Sequence, residues 1–88
     1  MRRSLILLAL TLLPAPAFAD VACETHPKSE WRRENEVRAR LVGKGYQIRT
    51  LKVDEQCYKV EGRDKEGRKV EVRLDPKTLA IVHSEFED

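Results

Sequence analysis

The chain shows three successive hydrophobic patterns, each typical of a different kind of segment. Residues 4–13 form a mostly apolar run behind a basic start. Over residues 30–44 the apolar positions recur near helical spacing, and from Tyr46 onward apolar and charged residues alternate in short runs. This order predicts a leader, then one helix, then several β-strands.

The leader has the three parts of a secretory signal peptide, residues 1–19. A basic start precedes an apolar run that is shorter than the about 20 residues of a membrane helix, and the segment ends in the small-x-small sequence AFA. We expect cleavage after Ala19, a single domain over residues 20–88, and a periplasmic or secreted protein without stable membrane insertion. Acylation of Cys23 is the alternative, but Asp20 stands where a lipobox has an aliphatic residue.

The helical pattern predicts one helix over residues 30–44. Ser29 is placed to act as its N-cap, and Gly43 and Gly45 offer left-handed positions that would end it. The apolar stripe of this helix consists of Trp31, Val37 and Leu41. The tryptophan could be a ligand platform, but a lone Trp on such a stripe is more often part of the core.

Four strands are predicted over residues 46–53, 57–63, 68–74 and 79–83, followed by an acidic tail. The first strand changes its apolar parity between Ile48 and Leu51, which indicates a bulge or strong twist. Turns are expected at residues 54–56 and 75–78, the latter because Pro76 suits the second position of a turn.

The loop between the second and third strands fixes their register. Gly67 suits the left-handed position of a three-residue hairpin loop. Counting back from the loop pairs Val60 with Val72 and Tyr58 with Leu74 on the inner face, and Glu61 with Glu71 and Lys59 with Arg73 on the outer face. The predicted core is Trp31, Val37, Leu41, Tyr58, Val60, Val70, Val72 and Leu74.

The charge balance gives no support for an anionic partner. The whole chain carries a formal net charge of +2, and the signal peptide contains Arg2 and Arg3. Cleavage leaves 15 basic and 15 acidic residues. We therefore expect neither nucleic-acid nor anionic-membrane binding.

The two cysteines, Cys23 and Cys57, both lie after the leader. An exported protein meets an oxidising compartment, and two cysteines allow one intramolecular disulfide. Closing the loop between them should stabilise the fold by roughly 3 to 4 kcal/mol. In a domain of about 70 residues such a contribution can decide whether the chain folds. The chain has no CxxC motif for redox chemistry or haem attachment.

No catalytic constellation is evident, and we expect a protein that is not an enzyme and uses no cofactor. Ser29 is better used as a cap, and Ser84 is interpreted as part of the tail. His26 and His83 could meet and bind a metal with Cys23, but a disulfide would consume that thiol. Because 36% of the chain is charged, the many alternating charges are interpreted as a solvated surface.

Several motifs together resemble a PepSY domain of the short exported kind. They are Gly45-Tyr46, the strand Cys57-Tyr58-x-Val60, the turn Asp64-x-x-Gly67 and Asp75-Pro76-x-Thr78. Leu79 departs from the pattern, because many PepSY domains have Gly after the Thr. The resemblance implies an α+β fold with one N-terminal helix packed on a small, about four-stranded antiparallel meander.

PepSY modules occur in peptidase propeptides and in extracytoplasmic parts of membrane proteins, so the resemblance implies a binding module without catalytic residues. Its partner would be a peptidase or another envelope protein, and we expect a monomer. An accessory or sensory domain that binds a small ligand or metal is the alternative, and a pairing of His26 with His83 would favour it. A free sheet edge is the favoured binding surface. The other candidate is the charged outer face with Lys59, Glu61, Lys69, Glu71 and Arg73.

Overall fold

The computed structural model describes residues 21–87, so the predicted signal peptide lies outside the described residues. A short 3-10 helix, Lys28–Glu30, is followed by one α-helix and four strands. Their bounds are Glu34–Gly43 for α1, Gln47–Asp54 for β1, Cys57–Arg63 for β2, Lys69–Leu74 for β3 and Ile81–Phe86 for β4. The predicted α+β fold is confirmed. None of the described helices is long and apolar enough to cross a membrane.

The helix begins four residues later than predicted. Ser29 does not cap it but lies in the 3-10 helix, and Arg33 is the N-cap, with its backbone N–H donating to the Glu36 carboxylate at 3.0 Å. The link before α1 stays extended because the N–H of Arg32 donates to the carbonyl of Pro76 at 2.8 Å. The Tyr58 hydroxyl donates to the carbonyl of Arg32. These tertiary bonds outweigh the local preference for an earlier helix start.

The sheet is an antiparallel meander with the strand order β1-β2-β3-β4. The predicted register of β2 and β3 is confirmed, including Val60 opposite Val72 and Tyr58 opposite Leu74. The predicted bulge in β1 is also present, as a register shift between Ile48 and Thr50. Gly67 has the expected positive φ of 86°.

The prediction for the last strand was wrong. Leu79 is not its first residue, because Leu79 has a φ of 64° and completes the turn after Asp75. The strand starts at Ile81 and continues to Phe86, through the segment interpreted as a tail. Ser84 and Phe86 pair with Val72 and Val70 of β3.

The core lies between α1 and the inner face of the sheet. Seven of the eight predicted core residues are buried, and Trp31 packs partly buried against them with its ring edge-on to Tyr58 at 5.4 Å. Leu79 is an additional buried member that the sequence pattern did not predict. Its side chain therefore enters the core although its backbone is in a turn.

The predicted disulfide between Cys23 and Cys57 is confirmed, with a Cα–Cα distance of 5.1 Å. The backbone N–H of Cys23 also donates to the carbonyl of Glu55 at 3.0 Å. Together these bonds hold the segment before the 3-10 helix against the β1–β2 turn.

Candidate functional site

The strand β4 forms one edge of the sheet and carries exposed apolar side chains. Ile81, Val82 and Phe86 are between 40% and 49% exposed. Ile81 lies opposite Leu74 and Phe86 opposite Val70, so both belong to the inner face that carries the core. The Arg68 guanidinium lies 3.9 Å from the centre of the Phe86 ring. The apolar inner face thus continues past the core to this edge.

The backbone of β4 offers hydrogen-bonding groups to a further strand. The N–H of Glu87 donates to the carbonyl of Lys69 at 3.0 Å. Because alternate residues of an antiparallel strand bond to the same neighbour, Glu85 also bonds toward β3. Ser84 and Phe86 direct their N–H and C=O groups toward the opposite side, where the described residues place no strand.

The other edge, β1, is less suited to accept a strand. It has a bulge near its start, between Ile48 and Thr50, and it carries the charged residues Arg49 and Lys52. Bulges and exposed basic side chains are devices that protect edge strands from pairing. β4 has an irregularity only at Val82, near its start, and contains no Lys or Arg.

The charged residues predicted as an outer-face surface do lie on one face of β2 and β3. These residues are Lys59, Glu61, Lys69, Glu71 and Arg73. Lys59 and Glu71 are diagonal neighbours, and their charged groups approach to 4.0 Å. Of the five, only Lys69 is exposed, and the others are partly or fully buried. Lys69 also borders a cleft of about 530 Å³, whose other lining residues are Gln47, Ile48, Arg49, Gly62, Arg63 and Glu87.

Arg73 is buried, with 1% of its surface exposed, and therefore adds no accessible charge to this face. Its guanidinium donates to Asp54 at 2.9 Å and to Glu71 at 3.1 Å, and it reaches the carbonyl of Val21 at 3.4 Å. Burial alone would lower the pKa of Arg73, but these hydrogen bonds outweigh it and raise the pKa. The side chain anchors the N-terminal segment across the outer face.

The two histidines have different acidic partners. His26 Nε2 lies 3.1 Å from Asp75 Oδ2, whereas His83 Nε2 lies 2.7 Å from Glu85 Oε1. Burial would raise the pKa of Asp75, but hydrogen bonds from His26 and from two backbone N–H groups lower it. Cys23 is in the disulfide, so the considered combination of both histidines with its thiol does not form.

Sequence reasoning missed the apolar edge of β4. The signal was present, because Ile81, Val82 and Phe86 stand close together near the end of the chain. The acidic residues around Phe86 led to its interpretation as a tail. The pairing of Phe86 with Val70 could not be read locally, because it depends on where the turn after Asp75 ends.

The described residues form a small antiparallel sheet with one helix on its inner face and an open, partly apolar edge at β4. A sequence model of the PepSY family, described as "Peptidase propeptide and YPEB domain", matches residues 3–85. The chain belongs to this family, and its match to a peptidase-propeptide-like module covers nearly its whole length. PepSY domains generally interact with proteins such as peptidases and are typically extracellular or periplasmic. No curated protein and no solved structure gave a match.

Proposed function

We propose that the protein is an exported, non-catalytic binding module that modulates a peptidase or another protein of the cell envelope. The observation that carries the proposal is the open, apolar edge of β4 in a member of a propeptide family. An extended segment of the partner adds to the sheet as a fifth strand, antiparallel or parallel to β4. The export rests on the leader of residues 1–19 and agrees with the disulfide.

The edge provides both affinity and selectivity for such a segment. The outward N–H and C=O groups of Ser84 and Phe86 bind the main chain of any extended peptide. Side chains alternate across a strand, so every second residue of the partner lies on the inner face beside Ile81 and Phe86. Partner segments with apolar residues at alternate positions are therefore preferred.

The charged outer face is the weaker candidate surface. Glu71 is engaged with both Lys59 and Arg73, and Glu61 accepts a hydrogen bond from Thr50 at 3.1 Å. A partner that used Glu61 or Glu71 would have to displace these contacts, which are largely buried. The edge offers main-chain groups that require no such displacement.

Protease assays with two matched valine variants test the proposal. Secreted and periplasmic proteases are assayed with and without a molar excess of the disulfide-bonded protein, and partners are captured from an envelope fraction. Val82→Lys places a blocking charge on β4, and Val53→Lys places the same charge on β1, where the valine has similar exposure.

We expect Val82→Lys to weaken the effect or the capture by about tenfold, which corresponds to about 1.4 kcal/mol of binding free energy, and Val53→Lys to leave it unchanged. Equal effects of both variants would refute the β4 edge. If no protease changes and no partner is captured, the modulator function is wrong and the alternative of an accessory or sensory domain is favoured.

A further inference from the structure

Three side chains that could ligate a metal converge where the N-terminal segment meets the turn after β3. They are Glu24, His26 and Asp75, and their nearest ligand atoms all lie within 4.8 Å of one another. His26 Nε2 is 3.1 Å from Asp75 Oδ2 and 3.8 Å from Glu24 Oε1. We propose that this cluster binds one Zn²⁺ ion, independently of the β4 edge.

The distances from His26 Nε2 to the two carboxylates are close to those around a tetrahedral ion. Bonds of about 2.0–2.2 Å from zinc to imidazole nitrogen or carboxylate oxygen place neighbouring ligand atoms about 3.3 Å apart. The two distances from His26 Nε2 lie on either side of this value. One imidazole and two carboxylates leave the fourth position for water, as in zinc sites with three protein ligands.

Glu24 brings a second carboxylate to the imidazole nitrogen that Asp75 contacts. At 3.8 Å its carboxylate is too far from His26 Nε2 for a hydrogen bond. It approaches the same nitrogen as Asp75, so that one imidazole nitrogen and two carboxylates surround a common point. The Glu24 side chain is 80% exposed, so an ion can enter from that side.

The other two ligands are held in place by the protein. The second oxygen of Asp75, Oδ1, accepts the backbone N–H groups of Lys77 at 2.8 Å and Thr78 at 3.1 Å. The carbonyl of His26 accepts the indole N–H of Trp31 at 3.0 Å. In metal sites, hydrogen bonds from groups that do not touch the metal orient the side chains that bind it. The two backbone N–H bonds hold the Asp75 carboxylate with Oδ2 next to His26 Nε2, and the bond from Trp31 holds the backbone of His26.

Calorimetric titration of the purified, disulfide-bonded protein with ZnCl₂ tests the site. We expect one ion per chain. Glu24→Gln removes a ligand charge from an exposed side chain without disturbing the fold, and it should weaken binding by about tenfold or more. His26→Gln should abolish binding, and His83→Gln, at the other histidine, should leave it unchanged.

A second readout comes from Trp31, the single tryptophan of the chain. Cu²⁺, which binds such ligands more tightly than Zn²⁺, should quench its fluorescence in the wild type and in His83→Gln but not in His26→Gln. The proposal is overturned if Zn²⁺ shows no saturable binding. It is equally overturned if Glu24→Gln binds at full affinity or if His83→Gln loses binding. None of these outcomes bears on the proteases, so the modulator function stands or falls separately.

Discussion

At the scale of single residues, Leu79 shows how a buried side chain can hold an unfavourable backbone. Its φ of 64° is in the left-handed region, which costs a non-glycine residue roughly 1–2 kcal/mol. The side chain is buried in the core, and burying a leucine contributes about 1.5–3 kcal/mol. The burial therefore offsets the backbone strain, and the turn closes without glycine.

At position 79 a glycine variant should be at least as stable as an alanine variant, which reverses the usual order of their stabilities. Leu79→Ala and Leu79→Gly both remove the buried side chain, and Leu79→Ala should lower the free energy of unfolding by about 2–5 kcal/mol. Leu79→Gly also removes the strain at positive φ, so we expect it to be at least as stable as the alanine variant. Urea denaturation measures both. A glycine variant that is less stable than Leu79→Ala by about 1 kcal/mol, as in regular structure, would contradict this account.

Because of Tyr58, the free energy of unfolding should decrease at alkaline pH. Burial, reinforced by Glu34 and Glu36, raises the pKa of its hydroxyl. The neutral hydroxyl is therefore favoured in the folded state. Its contribution to the free energy of unfolding is fully present below the unfolded pKa of about 10 and is lost as the pH rises through the folded pKa.

Denaturation at increasing pH should show this loss in the wild type and in Tyr46→Phe, which keeps the Tyr58 hydroxyl. Tyr58→Phe should lack it and should be about 1 kcal/mol less stable at neutral pH, because the bond to the Arg32 carbonyl is gone. An unchanged alkaline profile in Tyr58→Phe would refute the assignment.

At the scale of elements, local sequence signals correctly predicted the β2–β3 hairpin but misplaced the start of α1 and the bounds of β4. The alternation of Tyr58 and Val60 and the positive φ of Gly67 are local, so the register followed from the sequence. The start of α1 depends on a bond between Arg32 and Pro76, 44 positions apart in the chain. No local pattern contains that information.

Gly62 should be intolerant of any side chain because β1 and β2 approach closely beside the bulge. A Cβ at Gly62 would clash with the carbonyl oxygen of Gln47. Gly62→Ala should therefore destabilise the protein by about 1–3 kcal/mol. Gly43→Ala is the control, since a Cβ there meets nothing within 4 Å. Denaturation midpoints of the two variants give the comparison, and equal midpoints would show that the bulge can relax.

At the scale of the whole molecule, the disulfide and Arg73 fasten the N-terminal segment to the sheet. The sequence predicted the disulfide because two cysteines allow one pairing. It did not predict the burial of Arg73, because the alternation of β3 places Arg73 on the outer face and the covering segment around Val21 is distant in sequence. The outer face is for the same reason less open than its charges indicate.

Removing the disulfide should lower the free energy of unfolding by roughly 3 to 4 kcal/mol, since the bond spans 34 positions. The double variant Cys23→Ala, Cys57→Ala measures this without free thiols. Thermal and urea unfolding should both shift, with Trp31 fluorescence as the probe. A double variant as stable as the wild type would show that the chain-entropy argument fails for this fold.

From the sequence, the candidate site could be predicted only as a free edge of the sheet, without the strand that forms it. The propensity of Ile81 and Val82 indicated a strand, but which strand lies at the edge and how far it extends depend on the complete sheet order. The cluster of Glu24, His26 and Asp75 joins two segments about 50 positions apart. Its members are unremarkable in sequence, and only the disulfide-held fold brings them together.

Amide hydrogen exchange of the protein alone and with its captured partner distinguishes strand addition at β4 from binding at any other surface. Strand addition at β4 forms new hydrogen bonds from outward backbone groups. We therefore expect slower exchange at Ser84 and Phe86, with β1, Gln47–Asp54, unchanged. Protection confined to β1 or to the outer-face residues of β2 and β3, with β4 exchanging as in the free protein, would contradict it.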